Sequence, residues 1–200
     1  MKQLIYGITG GTGCGKTTAL NVLESLGFYV IDCDALYHDL LETDREMLAA
    51  IDAQFAGVLQ DGRLQRKVLG QRVFGDPQAL DTLNHITWPF IHRAVEQLIH
   101  EKAPQHCAID AIGLLESGLG ELCCRTIAIT APEEARVHRL MAREGISADY
   151  ARLRIHAQKD NAVFAAQCSV TIENSFDSAD AFQAHCQIMF QNIIKEDVQL

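Results

Sequence analysis

Two hundred residues, 48% of them hydrophobic and 22% charged, fit one domain, or one core domain with smaller insertions, with a full hydrophobic core, and call for no multi-enzyme architecture. With 17 Lys and Arg against 26 Asp and Glu the formal charge is −9, which argues against a broad nucleic-acid surface. No apolar stretch approaches a membrane span, and the chain starts straight into a strand pattern without a signal peptide, so the expectation is a cytoplasmic protein with no membrane partner.

The first apolar run, Leu4 to Ile8, predicts a strand, and Gly10 to Thr17 follows it as GGTGCGKT, a match to G-x-x-x-x-G-K-[ST]. Strand, glycine-rich loop and helix in that order form the setting a phosphate-binding loop requires. Gly10, Gly11, Gly13 and Gly15 let successive backbone N–H groups surround a polyphosphate, with Thr12, Cys14 and Thr18 completing the cradle. Lys16 is placed to reach the β- and γ-phosphates and Thr17 to ligate Mg²⁺, so the chain is expected to bind a nucleoside triphosphate. The helix Thr17 to Leu26 stops at Gly27, and Phe28 to Ile31 is the second strand.

That strand ends in Asp32-Cys33-Asp34, two carboxylates that face the same way on an extended backbone. In a doubly wound sheet the carboxyl ends of strands open onto the ligand crevice. A carboxylate there can accept a proton from an attacking hydroxyl or help hold Mg²⁺; the alternative is that Asp34 caps the next helix. Ala35 to Lys102 contains no convincing strand and is too long for an ordinary crossover, so it reads as a helical insertion. Cys107 to Ile109 is the third strand, ended by Asp110 in the manner of a Walker-B carboxylate, and Glu116 follows in LLES, where it could line an acceptor pocket or cap a helix.

Thr126 to Ile129 and Ser169 to Ile172 are the last strands. Between them Pro132 to Gln167 is helical and carries Arg136, Arg139, Arg143, Arg152 and Arg154, a clustering that suggests a lid over the nucleotide. A final helix, Ala179 to Ile194, sets Phe182, Cys186, Met189, Phe190 and Ile193 on one docking face. Seven cysteines, an odd number without paired C-x-x-C spacing, read as reduced core thiols rather than disulfides or a zinc site. His38, His85, His92, His100 and His106 show no metal spacing.

GITGGTGCGKTT, VIDCDALYH, GRLQRKVLGQRVFGDP, LNHITWPFI, DAIGLLESGL, and RLMAREG followed by Gln158 and IEN at Ile172 to Asn174 occur in order with spacing kept. Together they resemble the dephospho-CoA kinase family. The resemblance implies an α/β P-loop NTPase fold: a five-stranded parallel sheet flanked by helices, with a core at about 1–34, 103–135 and 168–200, a helical acceptor-binding insertion at about 35–102, and a helical lid at about 136–167. It further implies ATP-dependent phosphorylation of the ribose 3′-hydroxyl of dephospho-CoA, the last step of coenzyme A synthesis, with Mg²⁺ as cofactor. Asp34 takes the role of general base, and Lys16, Thr17, Arg139 and Arg143 serve the phosphates and metal, with Asp32 and Asp110 as further metal candidates. Leu64, Arg66, Phe74 and Glu116 fall on the acceptor side and Asn174 near the adenine. A monomer or weak homo-oligomer is expected.

The chain departs from the family's usual pattern at four places. Trp88 stands for His, Ile112 for Pro, Phe164 for a basic residue after the lid glutamine, and Ser169 for Asp before the last strand. These departures keep two other readings open: a P-loop kinase for another nucleoside or small alcohol, and an ATP-binding regulatory protein that has lost transfer.

Overall fold

A computed structural model describes residues 2–199 and divides the chain into two compact units, one built from the segment up to Ile31 and again from Lys102 onward, the other from Asp32–Glu101. The chain opens with β1 (Ile5–Thr9), α1 (Lys16–Ser25) and β2 (Tyr29–Asp32). It then forms α2 (Cys33–Thr43), α3 (Arg45–Gln54), β3 (Leu59–Gln60), β4 (Arg63–Leu64), α4 (Arg66–Val73) and α5 (Pro77–Lys102). After these come β5 (Cys107–Asp110), β6 (Arg125–Thr130), α6 (Glu133–Glu144), α7 (Ala148–His156), α8 (Asn161–Gln167), β7 (Val170–Glu173) and α9 (Ala179–Gln199).

Five strands make one parallel sheet in the order β2-β5-β1-β6-β7. The central strand β1 pairs Ile8 with Asp110 of β5 and with Ile127 of β6, so the segments that leave the carboxyl ends of β1 and β5 emerge side by side. Strands buried on both faces need continuous apolar runs, and residues 6–8, 107–109 and 127–129 supply them. Helices α1 and α9 share one core with the sheet: Leu20 and Leu23 meet the face of α9 made by Phe182, Cys186, Phe190 and Ile193. Each large side chain buried there contributes about 1.5–3 kcal/mol. Met189, expected on that face, is only partly buried, and α9 continues to Gln199, five residues past the expected end.

The segment expected as one helical lid is three helices. Gly145, left-handed at φ 68°, ends α6, and the Ser147 hydroxyl accepts from the Tyr150 N–H to start α7. Val137 and Leu140 pack against Ala151 and Ile155, fastening α6 to α7.

The second unit has its own core of Leu41, Met47, Ile51, Phe55, Val58, Leu69 and Leu83. It is helical as expected, except for the hairpin β3–β4, whose turn Asp61-Gly62 has both residues at positive φ. An Asp-Gly pair is the signature of that turn, but two-residue strands show no alternation to reveal them. Pro89 lies inside α5 without ending it.

Candidate active site

The loop between β1 and α1 is held by three side chains that each take one carbonyl. Arg136 Nε donates to Thr12 O at 2.8 Å, Arg139 Nη1 to Gly13 O at 3.2 Å, and Asn174 Nδ2 to Cys14 O at 2.9 Å. A trans peptide points its C=O and the following N–H in opposite directions, so the N–H groups of Gly13 and Gly15 are turned away from those supports. The Cys14 N–H returns to Gly11 O, and no side chain caps α1, which leaves its first-turn N–H groups facing outward. Gly15 must be glycine twice over: its φ is 104°, and a Cβ would sit 2.5 Å from Asn174 Nδ2. At Gly10 a Cβ would strike the carbonyl oxygen of Ile129.

Above the loop lies a cavity of about 710 Å³ whose walls include Thr17, Thr18, Ile112 and Gln158. Four cations line it, Lys16, Arg139, Arg143 and Arg154, and among the described residues no carboxylate does. On a chain of net charge −9 this is a local site for a polyanion. Lys16 Nζ lies 2.6 Å from Asp110 Oδ1 at the end of β5, a half-buried pair that fixes the ammonium at the cavity floor. Gln158 Oε1 accepts the Thr12 N–H at 2.7 Å, and the neighbouring Lys159 pairs with Glu116 in the segment after β5. Cys14 is fully buried, and that burial pushes its thiol pKa up.

Among the described residues no three Asp, Glu, His or Cys side chains converge on a metal position. A Mg²⁺ ion suits such a place nevertheless, because it takes one or two protein oxygens and fills its octahedron with phosphate and water. Thr17 on the cavity wall and Asp110 offer hard oxygen donors of that kind.

The dephospho-CoA kinase profile matches residues 4–180. The chain belongs to the dephospho-CoA kinase family. A dephospho-CoA kinase from Dehalococcoides mccartyi is 37% identical over 86% of this chain and 88% of its own, and one from Corynebacterium jeikeium is 34% identical over 86% and 91%. Among solved structures, dephospho-CoA kinase from Campylobacter jejuni superposes with a TM-score of 0.60 at 25% identity, covering 96% of this chain and 97% of that one. A Thermus thermophilus protein reaches a TM-score of 0.75 at 29% identity over 96% and 98%.

Against the dephospho-CoA kinase pattern, the residues expected at the phosphates come together: Gly10 to Gly15 form the loop, Lys16 to Thr18 open α1, and Lys16, Arg139 and Arg143 line one cavity. Asn174, expected near the adenine, has a structural tie to the loop whatever its part in adenine binding. It is buried, with its Nδ2 donating to Cys14 O and its Oδ1 accepting from Arg139 Nη2 at 2.9 Å. Arg139 also reaches Phe176 O, so its donors serve the loop and the Asn174 segment. Arg136, Gln158 and Lys159 had no individual role in the sequence reading, and contacts more than a hundred residues apart leave no local pattern that would have marked Arg136.

In the second unit Asp32, not Asp34, is the cap: its Oδ1 accepts the N–H groups of Asp34 and Ala35 at 2.9 Å each. Asp34 is thereby held in the first turn of α2 with its carboxylate exposed. Leu64 and Arg66 line a hollow of about 430 Å³ with Glu42, and Arg66 Nη2 lies 3.0 Å from Glu42 Oε1. Phe74, at the end of α4, is 91% exposed. The departures find ordinary places. Trp88 lies against His85 with ring centres 4.9 Å apart, Phe164 is buried, and Ser169 exchanges hydrogen bonds with Thr126 to pin β7 on β6. Ile112 takes a position on the cavity wall.

Proposed function

We propose that this kinase transfers the γ-phosphoryl group of ATP to the ribose 3′-hydroxyl of dephospho-CoA, giving coenzyme A and ADP. The observation that carries the reading is the cation-lined cavity over a loop whose carbonyls are held from behind. A triphosphate fits it because backbone N–H groups and guanidiniums are fixed before the ligand arrives and need not reorganise.

In this reading Lys16 and Arg143 bind phosphate oxygens and draw charge from the transferring group. Asp34 accepts the proton of the 3′-hydroxyl as its oxygen bonds to the γ-phosphorus and the bond from that phosphorus to the ADP oxygen breaks. Thr17 and Asp110 would hold Mg²⁺, which when bound neutralises charge on the phosphate oxygens. Asp32 caps α2 through Oδ1 and keeps its place as a metal candidate. Arg66 offers a guanidinium to a substrate phosphate, Phe74 and Leu64 offer apolar surface to the acceptor, and Glu116 is assigned to the acceptor pocket. Seven cysteines without paired spacing suit a reducing compartment, and the cytoplasm is our assignment.

Coupled measurement of ADP release tests this. Turnover that requires dephospho-CoA as well as ATP is expected. Calorimetric ATP binding with no ADP formed above background on adding dephospho-CoA would sink it. Asp34→Asn should lower kcat by roughly a hundredfold or more while ATP binding stays intact.

A further inference from the structure

Two of the four cavity cations share a single carboxylate. Glu144, the last residue of α6, accepts from Arg143 Nη2 on Oε1 at 2.5 Å, and Arg154 Nη1, in the last turn of α7, pairs with its Oε2. Those interactions hold the Glu144 carboxyl below its usual pKa, the Arg143 hydrogen bond most and Arg154 in addition. The other two cations are already engaged in the floor and in loop support: Lys16 on Asp110, and Arg139 on Gly13, Asn174 and Phe176. Arg143 and Arg154 are different. Their side chains are 60% and 37% exposed, they face the cavity, and among the described residues their ion-pair partner is one surface carboxylate. The packing of α6 on α7 fixes the spacing of their backbones, so both guanidiniums are brought to one wall at no further cost in order.

We propose that Arg154 is a phosphate-contacting residue of this kinase, and that Glu144 is a placeholder which the nucleotide's phosphates displace from Arg143 and Arg154. A carboxylate and a phosphate present the same paired oxygens to a guanidinium, and phosphate carries more charge, so the exchange favours the nucleotide. The proposal rests on ATP being the ligand of this cavity. Glu144 keeps the two arginines ordered and neutralised while the site waits, at the cost of competing with the ligand.

Calorimetry of ATP binding to the full chain, with kinetics and thermal melting alongside, tests this through variants that move in opposite directions. Arg154→Gln should raise the ATP Kd about tenfold, and Arg154→Lys should recover part of it. Glu144→Gln should lower the Kd about threefold by removing the competitor. If Arg154→Gln leaves the Kd unchanged, Arg154 does not contact phosphate. Should Glu144→Gln weaken ATP as much as Arg154→Gln, the pair is a structural tie between α6 and α7 and the proposal falls. Arg154→Lys keeps the question answerable should the glutamine variant not fold: wild-type affinity in the lysine variant with a weakened Glu144→Gln overturns it. A parent that binds ATP without turning over dephospho-CoA defeats the acceptor assignment alone, since the Arg154 and Glu144 comparisons are read on ATP binding. A parent that binds no ATP defeats both.

Discussion

A phosphate-binding loop is usually described by its own residues, yet here its conformation belongs to side chains outside it. Asn174 is the clearest case: one amide group donates to Cys14 O and accepts from Arg139, so it couples the loop to the support beside it. Asn174→Ala removes both bonds and leaves buried polar atoms unpaired. We expect kcat/KM for ATP to fall by about tenfold to a hundredfold, with a loss of about 1–3 kcal/mol in stability measured by denaturant unfolding. An Asn174→Ala protein with unchanged kcat/KM would show that the loop holds its shape alone. Cys14 makes a second residue-level case. The thiols of Cys14 and Cys124 are both pushed up by desolvation, so accessibility decides between them, and iodoacetamide at pH 8 should label exposed Cys124 before buried Cys14, with mass spectrometry of peptides as the readout. Labelling of Cys14 first would contradict its burial.

Among the elements, α9 does the most to close the core, and its far end is clasped as well as packed. Asp197 accepts from the Tyr6 hydroxyl at 2.9 Å and pairs with Arg125 Nη2 at 2.7 Å, tying the starts of β1 and β6 to the helix. The Tyr6 phenol is pushed far up by burial first and by Asp197 second. Asp197→Asn should lower stability by about 1–3 kcal/mol, seen as a melting temperature several degrees lower. The helix was legible in the sequence through its apolar stripe, but the clasp was not, because Tyr6 and Asp197 meet across 191 positions. The strands were legible within a residue or two, since apolar runs between turn residues admit few other readings. The helical segment between the last two strands divides into α6, α7 and α8, and Gly145 and Ser147 are the ordinary stop and start residues that mark the first break. The small hairpin of the second unit was missed for want of length.

At the scale of the whole molecule, the loop was readable because a contiguous motif encodes it, whereas Arg136 and Gln158 act through contacts that no local pattern records. Global stability also carries a pH signature that composition does not show. His106 accepts the Leu4 N–H on Nδ1 at 3.0 Å, joining the starts of β1 and β5, and burial lowers its pKa from 6.5. A depressed pKa means that the unfolded chain takes up the proton first as pH falls. The stabilisation is complete above pH 6.5 and is lost progressively as pH drops towards the folded pKa. Melting temperatures measured from pH 8 to pH 5 should therefore fall more for the parent than for His106→Gln, and parallel curves would remove His106 from the account.

The three carbonyl supports of the loop have a bearing on synthesis. Thr12 leaves the ribosome 124 residues before Arg136, and Cys14 leaves it 160 residues before Asn174. A nascent chain thus displays the whole GGTGCGKT motif long before anything can hold it in shape. Under the proposed function, ATP capture would mark completed folding, and a chain truncated before residue 136 would carry the motif without Arg136, Arg139 or Asn174 to hold it.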